Sequence, residues 1–421
     1  MFTRHRPLQL AFLFLAALSL ISAGACGPSP AAEARSDLAR NTAPDPVPDD
    51  LAALAAGNNA FALDLYHRLS AGDDNLFYSP YSLTTALAMA YAGARGDTAR
   101  GMAAGLHLTL PPDRLHPALN ALDLALTAPA EDAAFTLRAA NSMWGQEDFT
   151  FLPEFLDTLA LNYGAGLRLV DYRDEAARER ARQAINAWVA QATENTIQDL
   201  FAPGALTPDT RLVLANAIYF RGEWATPFNP DSYEAPFTLL SGETISVTTM
   251  SRRTLTASVS GPGYQAISLP YQGGRAEMLI VVPDAGEFAA FEAALTPERL
   301  DEIAAALEPG DVKVYLPRFQ FRTELSLKGT LADLGLDAAF DPQRADFSGM
   351  TGEPNLHIAD VVHKAFVAVD ELGTEASAAT GLTFEVVSMP LEVRADRPFF
   401  FAIRDTTTGA LLFLGRVTDP R

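Results

Sequence analysis

Six histidines, one cysteine and 52 acidic residues are the side chains of this 421-residue chain that could carry acid–base, nucleophilic or metal chemistry. The histidines are His5, His67, His107, His116, His357 and His363, and none are spaced H-x-x-x-H or H-E-x-x-H, so a helix-borne zinc protease site is missing. There is no G-x-S-x-G turn to raise a serine nucleophile and no G-x-x-x-x-G-K-[ST] phosphate loop. Cys26 stands alone in a Pro-rich stretch with no organised base, which makes it a poor nucleophile. One cysteine also excludes a disulfide framework and a Cys-rich metal site. The carboxylates outnumber the 31 Lys and Arg residues and give a formal charge of −21. An Asp/Glu pair in so acidic a chain is ordinarily solvated surface, and the acidity argues against nucleic acid, which needs a basic footprint. The sequence therefore points away from an enzyme, and no cofactor is expected.

The elements give more. Arg4, His5 and Arg6 precede an apolar run over 8–21 and the small residues Ser22, Ala23, Gly24 and Ala25, the pattern of an export signal over 1–25. Ala23-Gly24-Ala25-Cys26 resembles the bacterial lipobox, which implies cleavage before Cys26, acylation of its thiol and new amino group, and a cell-envelope lipoprotein facing outside the cytoplasm. Plain secretion is the alternative. Cleavage removes Arg4 and Arg6 and no acid, taking the charge to −23. Residues 26–50, rich in Ala, Pro and Asp, read as a semi-extended tether, and the globular body runs over 51–421.

Within the body, helical spacing covers 51–70, a helix over 82–92 is capped by Ser82, and another spans 175–193. Strands are expected at 212–220, 244–250, 264–270, 276–282 and 312–321, a helix at 325–334, and a hairpin at 399–404 and 411–417. Helices first and strands later make an α+β class. Amid the strands lies Asp370-Glu371-Leu372-Gly373-Thr374-Glu375-Ala376-Ser377-Ala378-Ala379-Thr380-Gly381, which read alone is a flexible linker.

That run resembles the reactive-loop hinge of the serpins. Asn75-Leu-Phe-Tyr-Ser-Pro-Tyr-Ser82, Ile185-Asn-Ala-Trp-Val189, Leu214-Ala-Asn216-Ala-Ile-Tyr-Phe220, Gly222-Glu-Trp224, Ala359-Asp-Val-Val-His363-Lys364, Asp396-Arg-Pro-Phe399 and Leu414-Gly-Arg-Val417 resemble serpin signatures, in serpin order, over about 52–420. The resemblance implies a serpin fold: one metastable monomeric domain with about nine helices, three β-sheets and an exposed reactive loop over about 371–397. It implies inhibition of a target serine protease by loop insertion, with a non-inhibitory binding or carrier role as the alternative. It assigns Ser79, Ser82, Asn216 and His363 to the shutter beneath the large sheet, and Trp224, with Arg318 paired to Glu371, to the breach where the loop enters.

A loop that becomes a central strand must offer one face of small side chains. Thr374, Ala376, Ala378 and Thr380 form such a face, Glu375, Ser377 and Ala379 lie on the other, and no proline interrupts 371–387. The family's spacing from Gly373 and from Pro398 places the attacked bond at Val387-Ser388. Val387 is β-branched and apolar, which suits the shallow pocket of elastase-like proteases. Subtilisin-like enzymes are the second class, and papain-like enzymes reading Val386 the third.

Overall fold

The computed structural model describes residues 32–127, 135–374 and 390–421. Its helices are α1 (Pro48–Leu69), α2 (Pro80–Tyr91), α3 (Gly96–Gly105), α4 (Pro112–Thr127), α5 (Pro153–Tyr163), α6 (Glu175–Ala192), α7 (Phe288–Ala293), α8 (Pro297–Ala305), α9 (Lys328–Leu331), α10 (Asp337–Phe340) and α11 (Ser348–Thr351). Five of the longer ones, α1, α2, α4, α5 and α8, carry proline in the first turn, where its missing N–H costs nothing. The strands are β1 (Ala32–Ala34), β2 (Leu76–Tyr78), β3 (Phe135–Gln146), β4 (Leu167–Val170), β5 (Leu212–Glu223), β6 (Tyr233–Thr238), β7 (Thr244–Gly261), β8 (Tyr264–Pro270), β9 (Ala276–Pro283), β10 (Glu308–Pro317), β11 (Phe319–Ser326), β12 (Ile358–Val369), β13 (Gly373–Thr374), β14 (Leu391–Arg394), β15 (Phe399–Asp405) and β16 (Leu411–Val417).

Two sheets organise the core. The first runs β1-β4-β3-β5-β13-β12-β11; the second runs β14-β10-β7-β8-β9-β15-β16-β2, with β6 on β7. The third sheet expected from the resemblance is joined to the second, because the 18-residue β7 pairs with β6 and β10 along its first part and with β8 at its end. Inner faces meet through aromatic contacts: Phe220 of the first sheet meets Phe413 of the second edge-on at 5.8 Å between centroids, and Phe319 meets Phe401 at 5.4 Å. α2 is buried from Pro80 to Ala90 and packs beneath the first sheet. On that sheet's other face Val213, Ala215 and Ala217 of β5 pack with Ile185 and Val189 of α6.

Several expectations are corrected. Ser79, not Ser82, caps α2: its hydroxyl accepts from the Ser82 amide at 3.1 Å. The strand read over 312–321 is two strands, because the chain leaves the second sheet at Pro317 and enters the first at Phe319. Strand β11 continues to Ser326, so the helix read over 325–334 starts only at Lys328, after which Ala332–Leu336 is a π-helical turn bent at Gly335, φ 98°.

The semi-extended tether over 26–50 also ends earlier than read. From Ala32 the segment packs on the body: β1 pairs antiparallel with β4, Ser36 donates to Asp157 at 2.5 Å, and Arg40 reaches Asn120 at 2.8 Å and Asp123 at 2.6 Å. The paired stretch Ala32–Ala34 carries no proline, so its amides are free to donate, and the edge of β4 offers amides and carbonyls that an extended segment can satisfy. Helix α1 begins at Pro48, ahead of the expected start at 51. Cys26, Glu375, Ala376, Ser377, Ala378, Ala379, Thr380, Val387 and Ser388, each given a role above, lie outside the described residues.

Candidate functional site: a parallel seam with a strand started in it

The first sheet has an unusual centre. β5 and β12 are parallel neighbours over Leu212–Ile218 and Ile358–Ala365, with Asn216 opposite His363. Each strand's other neighbour, β3 or β11, is antiparallel to it. Above that seam β13 enters between them, antiparallel to both: Gly373 faces Glu223, and Thr374 faces Gly222 on one side and Val369 on the other. The sheet thus carries the first two residues of an extra strand, in a slot whose continuation would turn one parallel pairing into two antiparallel ones.

Close packing fixes that start. A Cβ on Gly373 would run into the Gly222 carbonyl and come within 2.8 Å of the Glu223 Cα, so only glycine fits. Thr374 is buried and its hydroxyl bonds the Tyr271 hydroxyl at 2.8 Å. The preceding turn is held by the segment after β5. The Trp224 amide donates to the Leu372 carbonyl at 2.8 Å, its indole Nε1–H to the Asp370 carbonyl at 3.0 Å, and the Phe228 amide to the Glu371 carbonyl at 2.7 Å. Trp224 is fully buried and stacks on Tyr271, centroids 4.7 Å apart.

Arg318 stands where the chain crosses between sheets and donates twice to Glu371 Oε1, from Nε at 2.8 Å and Nη2 at 2.5 Å, while Ser232 donates its hydroxyl to the same oxygen. Burial alone would raise the Glu371 pKa; these donors outweigh it and hold the carboxyl below its usual range.

Lower in the seam a buried polar network lies under Asn216 and His363. The Ser79 amide donates to His363 Nε2 at 3.1 Å, so Nε2 is the bare nitrogen and Nδ1 carries the proton, which it donates to Asn216 Oδ1. Asn216 Nδ2 donates to the Ser82 hydroxyl at 2.8 Å and the Ser82 carbonyl at 2.9 Å; the Ser82 hydroxyl donates to Asn141 Oδ1 at 3.1 Å. The Ser79 hydroxyl donates to the Leu412 carbonyl of the second sheet at 2.6 Å. Complete burial keeps His363 neutral, its pKa pushed down to about 3. The network links both sheets and α2 through the point where β5 meets β12.

The structure brings Ser79, Ser82, Asn216 and His363 into one cluster, and Trp224, Arg318, Glu371, Gly373 and Thr374 into another. Sequence reading missed Asn141, Tyr271, Phe228 and Ser232. Asn141 had a signal, an amide in the middle of a buried strand; the others look like ordinary strand-end residues. No group of three or more His, Cys, Asp or Glu side chains among the described residues could hold a metal ion.

The family model described as Serpin (serine protease inhibitor) matches residues 56–420. This chain belongs to the serpin family. It is 39% identical over 381 residues to the rat (Rattus norvegicus) leukocyte elastase inhibitor A, covering 87% of this chain and 99% of that protein. An uncharacterised serpin-like protein of Thermococcus kodakarensis is 38% identical, covering 86% of this chain and 85% of its own length. Among solved structures, the native thermophilic serpin tengpin superposes with a TM-score of 0.83 at 27% identity, covering 93% of this chain and all of its own. Human thyroxine-binding globulin with thyroxine gives 0.80 at 28%, covering 88% and 99%. Serpins are protease inhibitors and non-catalytic relatives such as that globulin, so the chain is an inhibitor-family protein and not an enzyme.

Proposed function

We propose that this serpin is a suicide-substrate inhibitor of serine endopeptidases, elastase-like or subtilisin-like, that traps the acyl-enzyme by inserting its cleaved loop between β5 and β12. The observation that supports it is β13, antiparallel on both sides of the slot. Carried on in the same register, Ala376 arrives between Phe220 and Val367, Ala378 between Ile218 and Ala365, and Thr380 between Asn216 and His363. These even-numbered positions share a face with Thr374 and point to the packed interior, which the small side chains suit.

The protease serine attacks the Val387 carbonyl, the amine of Ser388 leaves, and an acyl-enzyme remains. Insertion of the remaining 375–387 then carries the attached protease about 43 Å at ~3.3 Å per residue, and distortion of its oxyanion hole stalls hydrolysis. Opening the seam requires the Asn216–His363 bond to break, and in the inserted register Thr380 would arrive between the two partners. The chain acts as an exported monomer held at the cell envelope by a lipid on Cys26.

Incubation of the mature protein with an elastase, a subtilisin and a papain-like enzyme tests this reading. An SDS-stable complex with either serine protease, together with a released peptide beginning at Ser388, is the expected result. Cleavage without complex by all of them rules inhibition out and leaves a binding role.

A further inference from the structure

Behind the hinge lies a cation that belongs to neither polar cluster. On β7, Arg253 pairs with Asp311, Nε to Oδ1 at 2.9 Å, but the next-door Arg252 turns inward and is 3% exposed. Its guanidinium carbon lies 4.6 Å from the Phe228 ring centroid and 6.0 Å from that of Trp224. Its Nε and Nη1 are buried and have no hydrogen-bond partner among the described residues. Glu371, an acid at the same corner, is taken by Arg318 and Ser232. Desolvation lowers the Arg252 pKa to about 9, which still leaves a cation at neutral pH.

Phe228 and Trp224 are the residues whose amides hold the Glu371 and Leu372 carbonyls. A charge stacked on both rings gains from their π faces, whereas each buried N–H without an acceptor costs the folded state. A side chain ending in an apolar group would keep the packing and remove that cost. The unmet donors therefore sit where the sheet must part.

We propose that Arg252 is a positioning residue of the entry point: its unmet N–H groups destabilise the closed corner and are relieved when the loop enters and shifts the 224–228 segment. This rests on the inhibitory reading above, and its effect is on partition, not on encounter. It makes the intact form less stable than its packing allows and speeds insertion against hydrolysis.

The test is Arg252→Met, whose thioether can pack on both rings, compared with the parent as intact and as loop-cleaved protein. Expected is a thermal midpoint raised by about 2–4 °C in the intact form and unchanged in the cleaved form. The inhibitor consumed per complex formed should rise as well: inhibitor cleaved without trapping should increase about fivefold, the rate equivalent of one unmet buried donor, at an unchanged association rate constant. Arg252→Leu, shorter and free of N–H donors, is the second variant should the methionine form fail to fold. A lowered or unchanged intact midpoint, or an equal rise in both forms, overturns the proposal. If the parent forms no complex, the inhibitory reading falls, while the intact midpoint still judges Arg252.

Discussion

At the scale of single residues, the two polar clusters make opposite demands. Glu371 and Arg318 form a pair whose acid is buried and whose base is half exposed, so water discounts its worth. Glu371→Lys should destabilise the intact form by about 1–3 kcal/mol through an unpaired buried charge. Exchanging the two charges should recover part of that loss in urea unfolding; an exchange as harmful as the single change means the pair is incidental. His363 makes a pH prediction. Its folded pKa of about 3 lies below the ordinary value of 6.5, and burial holds His116 down at about 4 in the same way. The unfolded chain therefore takes up protons below pH 6.5 that the folded chain refuses, so stability is complete above that pH and falls as pH drops. Each histidine contributes a slope of up to about 1.4 kcal/mol per pH unit. Urea midpoints from pH 7 to 4 should show the decline, and His116→Gln should reduce it; a flat profile contradicts neutral burial. His363 and Asn216 were legible from family pattern alone. The proton on Nδ1 was not, because it follows from the Ser79 amide, 284 residues away in sequence.

At the scale of elements, the decisive feature is two residues long. Strand β13 shows where the run over 370–381 begins to pair, which its composition could not: small residues fit a linker and an inserting strand equally well. Thr374→Arg puts a long cation where the hydroxyl now meets Tyr271 in a space bounded by Gly222 and Val369. The variant should still be cleaved but should form little covalent complex, read by gel; stoichiometric complex would sink the insertion account. The N-terminal segment was misread for a physical reason. Its prolines signal extended backbone correctly, but whether an extended segment floats or docks depends on a partner edge, and β4 lies more than 130 residues away. Arg40, partly buried against Asp123 and Asn120, ties that segment to α4. Arg40→Ala should cost about 1–2 kcal/mol, more than a surface pair, since it strands buried partners; a loss below a few tenths shows that the segment adds little. Helix α2 and the hairpin β15–β16 were legible, since their burial makes them largely apolar, whereas the break at Pro317-Arg318 was hidden inside one continuous strand-like run.

At the scale of the whole molecule, length, acidity and a large core now describe one domain built on two sheets that share corners. The chain passes from the first sheet to the second after β5 and back between β10 and β11, and Trp224 and Arg318 stand at those crossings beside the hinge. The central claim is that β5 and β12 must separate for inhibition, and a sewn seam tests it most directly. Ala215 and Val362 are aligned partners across the parallel pairing, both facing α6, and neighbouring strands lie about 4.8 Å apart, within disulfide reach. In a background with Cys26→Ser, the Ala215→Cys, Val362→Cys pair should make the oxidised protein a substrate that is cleaved without trapping its protease. Reduction should restore the covalent complex. An oxidised, verified disulfide form that still traps the protease as well as its reduced form contradicts the account.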